Sequence, residues 1–330
     1  MNRLEQLRSW ASTQLDETDL ELSPASADAS FRRYFRIVHR GGSLIAMDAP
    51  PEQENCAPYV HVARLFRAAG VNVPQVLAQD LDRGFLLLTD FGSTTYLEAL
   101  AGSDPVPLYA DALDALIAIQ RASRPGVLPD YDEALLKREV DLFRDWYVAR
   151  QLGRTLTVRQ TELLERMCAV VLACNLAEPR VYVHRDYHSR NLMLTDPNPG
   201  VLDFQDAVFG PITYDLVSLL KDAYVEWPEE QVLDWVVRYW QKARAARLPV
   251  RDDFAAFYRD FEWMGVQRHL KVLGIFARLW HRDGKDRYLG DLPLVLRYTE
   301  RAARRYRELA PLARLIDDVH ERSAATGLSF

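Results

Sequence analysis

The sequence contains no apolar run approaching the ~20 residues needed to span a bilayer, so a helical membrane span is not expected. Its first residues, Met1-Asn2-Arg3-Leu4-Glu5, carry charge where a secretion signal needs an apolar stretch, so a cytoplasmic protein is expected. Cysteine is scarce. Cys56, Cys168 and Cys174 are odd in number and none sits in a C-x-x-C pair, which argues against a disulfide frame or a zinc site and for buried, reduced thiols. Internal repeats and low-complexity segments are absent. So is an excess of positive charge: the formal net charge of −6 speaks against a nucleic-acid surface. A monomer with neither nucleic-acid nor membrane partners is expected.

The rest is ordinary for a globular chain, with 48% hydrophobic and 27% charged residues. A chain of 330 residues buries roughly 75% of the surface that its unfolded form exposes, enough for one or two lobes. Leu4, Leu7, Ala11 and Leu15 share one face and predict a helix over 3–16. Phe31–Val38 and Leu44–Met47 read as strands joined at His39-Arg40-Gly41-Gly42. Pro58 suits the first turn of a helix ending near Gly70. Val73–Leu77 and Phe85–Leu88 are further strands. Beyond Asp90, helices are predicted over 95–101, 107–122, 133–152, 158–176, 212–224, 229–246, 252–283 and 291–309. Short strands at Val181–His184, Leu192–Thr195 and Val201–Phe204 interrupt them. The polar tail after Glu321 is expected to fray.

One stretch carries chemistry. His184-Arg185-Asp186-Tyr187-His188-Ser189-Arg190-Asn191 is an H-R-D-x-x-x-x-N, and the apolar strand Val201-Leu202 follows it and runs into Asp203. Phosphoryl transfer from a nucleotide needs a carboxylate beside the attacking hydroxyl, and a second carboxylate with an amide oxygen to hold magnesium. Asp186 is the candidate base. Asn191 and Asp203 are the candidate metal ligands. A carboxylate ending an apolar strand is costly unless a cation meets it. Asp206 is a candidate for the metal or a substrate hydroxyl, and His188 and Arg190 lie in the loop where phosphate and acceptor would pass. His184, within a strand, is assigned a structural role. Gln267, Arg268, His269 and Lys271 form a polar stripe on an apolar helix; Arg268 and Lys271 are candidate substrate contacts, with Glu139 a further one.

This motif and the element order resemble the aminoglycoside and choline phosphotransferases, which have a protein-kinase-like fold. The resemblance implies an α+β, bilobal architecture: a small β-rich lobe at 1–88 that covers the nucleotide, and a large, mainly helical lobe at 89–330 for catalysis and substrate. Phe31-Arg32-Arg33-Tyr34-Phe35-Arg36, Met47-Asp48-Ala49-Pro50-Pro51, Leu88-Thr89-Asp90-Phe91-Gly92 and Gln267-Arg268-His269-Leu270-Lys271 look most similar to the anomeric sugar kinases of bacterial cell-wall recycling. Those phosphorylate the 1-hydroxyl of N-acetylmuramate and N-acetylglucosamine. ATP and Mg2+ are the implied cofactors and a small sugar the implied partner. Asp215 matches an aspartate that braces the catalytic loop in such proteins. Two departures stand out. The turn Ser26-Ala27-Asp28-Ala29-Ser30 has no glycine, leaving Ser26 and Ser30 as candidate phosphate contacts. The third-strand lysine is missing, with Met47 near its place, so Arg32, Arg33 or Arg36 must supply the cation. The connector at Thr89 and Asp90 is expected to meet the adenine. An aminoglycoside or other small-alcohol phosphotransferase, and a catalytically inactive pseudokinase, are the alternative readings.

Overall fold

The computed structural model describes residues 2–27 and 31–326. In chain order the elements begin α1 (Arg3–Leu15), β1 (Leu22–Ala27), β2 (Arg33–His39), β3 (Gly42–Asp48), α2 (Ala57–Ala68), β4 (Val76–Asp80) and β5 (Phe85–Thr89). There follow α3 (Tyr96–Ala99), α4 (Pro105–Arg121), α5 (Glu133–Leu142), a π-helical continuation at Phe143–Gln151, and α6 (Val158–Leu176). Next come β6 (Arg180–Val183), β7 (Leu192–Met193), β8 (Gly200–Val201), β9 (Val208–Pro211), α7 (Tyr214–Leu220) and α8 (Glu229–Ala245). The chain closes with α9 (Phe254–Asp283), α10 (Leu292–Arg305) and α11 (Ala310–Thr326). They fall into two compact units, Met1–Ala122 with Arg190–Ala207, and Ser123–Ser189 with Val208–Phe330.

The first unit is built on an antiparallel sheet of order β1-β2-β3-β5-β4. Side chains alternate across a strand, so Phe35 and Ile37 of β2, Ala46 of β3, and Phe85 and Leu87 of β5 share the face that α1 covers with Leu7, Trp10 and Ala11. Tyr34 and Arg36 point to the other face. The β2–β3 hairpin turns where expected, pairing His39 with Gly42. Two strands differ from the sequence reading. β1 was not expected: Pro24 lies at a register shift that breaks its alternation. β4 starts at Val76 rather than Val73, because Pro74 has no N–H to give a ladder, although Val73 is buried.

The second unit is organised around α9, which is buried along most of its length. Asp253 caps its start and Gly284 ends it in the left-handed region, at φ 68°. β6 pairs with β9 in an antiparallel ribbon. α11 continues the chain helically to Thr326, past the expected polar fraying point. No helix among the described residues is long and apolar enough to cross a membrane.

Candidate active site

The loop after β6 is fixed from behind. Asp215, at the start of α7, accepts from the His184 N–H (2.6 Å) and the Arg185 N–H (3.0 Å). Arg185 takes a left-handed φ of 78°, unusual for a side-chain-bearing residue, and these two bonds hold it there. Burial pushes the Asp215 carboxyl up to about 7, and the two N–H donors and Arg268 only partly offset this. Asp222 clamps the far end of the loop by accepting from the Ser189 N–H at 2.9 Å. The His184 ring is fully buried, meets Tyr187 edge-on, and accepts at Nδ1 from the Asp186 N–H at 3.3 Å. Asp186 is thus presented at the turn by backbone bonds on both sides.

Its setting is cationic. Burial alone would raise the Asp186 carboxyl, but Lys271, His188, Arg268 and Arg185 outweigh that and bring it down to about 2. It is therefore ionised throughout the physiological range. Around it lies a buried network. Glu139 accepts from Arg185 at 2.5 Å, pairs with Lys271 at 3.0 Å, and accepts from the Tyr131 hydroxyl and, at 3.4 Å, Gln267 Nε2. Burial opposes ionisation of Glu139, yet Lys271, then Arg185 and Tyr131, hold its carboxyl below the ordinary range. Lys271 also donates to the Tyr214 hydroxyl at 2.8 Å. Arg268 and Lys271, the candidate substrate contacts of the polar stripe, are both buried. A neighbouring aromatic row runs from His188 to Tyr224 (5.4 Å between ring centres), Phe276 (5.9 Å) and Tyr288 (5.1 Å).

In the first unit, β7 and β8 form a ribbon whose pairing sets the two metal-ligand candidates across from each other. Leu192 faces Val201, and the Leu202 N–H donates to the Asn191 carbonyl at 2.9 Å. The Asn191 carboxamide consequently lies against Asp203, 3.3 Å from Nδ2 to Oδ2. Asp203 has a left-handed φ of 61°, and Gln205 Nε2 donates to its Oδ1 at 2.7 Å. The buried Gln205 Oε1 has no hydrogen-bond partner among the described residues. A carboxylate between two carboxamides, one with an orphaned oxygen, is a hard-oxygen set that fits magnesium. Among the described residues no group of three or more His, Cys, Asp or Glu side chains could hold a metal; such an ion takes its remaining ligands from water and phosphate. Tyr59 packs on Phe204 at 4.8 Å beneath this ribbon. Asp206 is exposed, and Arg190 is half-buried just ahead of Asn191.

The nucleotide candidates are placed unevenly. Arg33 pairs with the fully buried Asp48, which also binds Arg3 at 2.6 Å. Arg36 is tied to Asp90 at 2.5 Å and to the Gly92 carbonyl at 2.7 Å, so Arg36 and Asp90 pin the connector to the sheet. Thr89 Oγ1 accepts from the Gln75 N–H at 2.9 Å. Arg32 is half-buried just ahead of β2, and Tyr59 feels both its charge and that of Asp203. Ser26 lies on β1 opposite Tyr34; Ser30 lies outside the described residues. Asp222, Tyr131 and Gln205 were not singled out in the sequence, and no local pattern marks them.

The family model described as "Phosphotransferase enzyme family" matches residues 21–252. The N-acetylmuramate/N-acetylglucosamine kinase of Neisseria meningitidis is 53% identical over 336 residues, covering 100% of both chains. That of Pseudomonas aeruginosa is 53% identical over 324 residues, covering 95% of this chain and 96% of its own. Among solved structures, a choline kinase from Streptococcus pneumoniae superimposes with a TM-score of 0.63 at 12% identity, covering 94% of this chain and 99% of that one. It shares the bilobal, protein-kinase-like fold.

Proposed function

The chain belongs to the phosphotransferase enzyme family, and from that premise we propose that it moves the γ-phosphoryl group of ATP onto the anomeric 1-hydroxyl of N-acetylmuramate or N-acetylglucosamine. The observation that carries the reading is Asp186, held ionised at a backbone-braced turn among Lys271, His188, Arg268 and Arg185. The sugar kinases that match along the whole chain support the choice of acceptor.

A carboxylate kept as acidic as Asp186 is a weak proton acceptor at rest. Its negative charge orients the acceptor hydroxyl, and the proton passes to it as the new O–P bond forms and the hydroxyl acidifies. An anomeric hydroxyl is more acidic than an ordinary alcohol, which eases this transfer. Asn191 and Asp203 are the residues to hold magnesium, which when bound neutralises charge on the nucleotide phosphates. Arg32 is the cation assigned to those phosphates, since its charge and that of the metal-ligand candidate Asp203 both act on Tyr59. Residues 1–88 form the nucleotide-covering lobe in this assignment, and the connector backbone at Thr89–Asp90 meets the adenine. The aromatic row of Tyr224, Phe276 and Tyr288 offers flat apolar faces to the acceptor ring. A cation-lined setting is unsuited to a polycationic aminoglycoside, and an intact Asp186 has no use in a pure nucleotide binder.

The test is ADP release from ATP in the presence of each sugar, with NMR of the phosphorylated product to locate the ester. Asp186→Asn is expected to lower kcat by about 10²–10⁴ with little change in KM for ATP. Near-normal turnover by that variant removes Asp186 from the proton-accepting role.

A further inference from the structure

Among the described residues, Arg268 is a buried cation beside Asp186 that no carboxylate pairs with. Arg185 and Lys271 share Glu139. Arg268 is only 3% exposed, yet its buried Nε and Nη1 have no hydrogen-bond partner, and it makes no ion pair among the described residues. Its guanidinium lies over the Tyr214 ring, 5.9 Å from the centre, and its field reaches both Asp186 and Asp215. Leaving buried donors of a charged group unsatisfied costs more than an ordinary missing hydrogen bond. A group placed this way is one that a bound anion completes.

The position narrows which anion. Arg268, Val272 and Phe276 recur at four-residue intervals on α9 and so share a face. That face leads from the cation to the aromatic row Phe276–Tyr224–His188. In N-acetylmuramate the lactyl group hangs from C3, two ring bonds from the anomeric carbon. An acceptor that brings its 1-hydroxyl to Asp186 therefore carries its carboxylate into the same small volume. N-acetylglucosamine has no such group.

We infer that Arg268 binds the lactyl carboxylate of N-acetylmuramate and sets the preference of this enzyme for the acidic over the neutral amino sugar. Lys271, by contrast, has its ammonium held by Glu139 and the Tyr214 hydroxyl. The inference rests on the sugar-kinase reading above, and the experiment separates the two.

Arg268→Met and Arg268→Lys, each checked for native folding by circular dichroism and thermal melting, are assayed for kcat and KM with both sugars and with ATP. Arg268→Met is expected to lower kcat/KM for N-acetylmuramate about 10- to 100-fold more than it lowers kcat/KM for N-acetylglucosamine. Arg268→Lys should recover part of the loss. As a control independent of folding, the wild-type enzyme is given N-acetylmuramate whose lactyl carboxyl has been converted to the amide, and kcat/KM should fall by a similar factor. Equal losses on both sugars, or a loss confined to ATP, overturn the inference and place the anion on the transferring phosphoryl group instead. An amide accepted as readily as the acid overturns it as well. A wild-type enzyme that phosphorylates neither sugar instead overturns the functional assignment itself.

Discussion

Glu139 shows how much a single buried side chain can hold together. It neutralises both Lys271 and Arg185 and takes the Tyr131 hydroxyl as well. Removing one partner of a buried ion pair typically costs about 3–5 kcal/mol, because the charge left behind stays buried and unpaired. Glu139→Gln is accordingly expected to destabilise the fold by about 3–5 kcal/mol, read by urea unfolding. The double variant Glu139→Gln, Lys271→Met removes one of the stranded cations and should be more stable than the single. A double variant no better than the single would mean that Lys271 is not balanced by Glu139. Residues of this kind divide by legibility. Asp186, Asn191 and Asp203 stand in a fixed local spacing and are visible in the sequence. Arg268 and Lys271 are visible as charges on an apolar helix, but the pattern does not say that the polar stripe faces inward. Tyr131, Asp222 and Gln205 matter only through what distant chain brings against them.

At the scale of elements, periodicity serves where an element has one wet face and fails elsewhere. α6 spans Val158–Leu176 as its pattern predicts. β9 at Val208–Pro211 is not among the elements predicted: all four residues are buried, so no alternation announces it. The π-helical turns at Phe143–Gln151 replace the end of a helix predicted to run to 152, and no residue type in that stretch forecasts the wider turn. α9 carries a paired test of packing. An added Cβ at Gly274 would lie 2.3 Å from the carbonyl carbon of Leu142, where α5 passes into the π turns, and 2.5 Å from its oxygen. At Gly265, on the same helix, the nearest atom would be 3.7 Å away. Replacing a mid-helix glycine by alanine stabilises by about 0.5–1 kcal/mol where space allows. Gly265→Ala should therefore raise the melting temperature. Gly274→Ala should lower it, since overpacking against backbone costs about 1–3 kcal/mol. If Gly274→Ala melts at or above the wild-type temperature, the contact between α9 and the end of α5 is looser than described.

For the molecule as a whole, the succession of a β-rich part and a helical part was legible from composition and strand spacing alone. The return of Arg190–Ala207 to the first unit was not, because it depends on pairing that no local pattern records. The same tertiary burial gives the fold a pH dependence that sequence cannot forecast. Glu178 is buried and receives the Thr213 hydroxyl (2.7 Å) and N–H (3.1 Å) at Oε2, but has no counter-ion in contact among the described residues, and burial pushes its carboxyl up to about 8. Asp215, pushed up to about 7, acts in the same direction. Between the ordinary carboxylate value and these raised ones, the folded chain holds more protons than the unfolded chain. Stability therefore falls as pH rises through that window. His269 works oppositely: burial brings its ring down to about 3, so its contribution is lost as pH falls below the ordinary histidine value toward that point. Its effect is largely complete by neutral pH, whereas that of Glu178 continues to about 8. Melting temperatures measured from pH 6.5 to 8 should therefore decline. Glu178→Gln keeps an acceptor for Thr213 but cannot ionise, so the decline should be shallower in that variant. An unchanged slope in Glu178→Gln would show that Glu178 is not the group that titrates there.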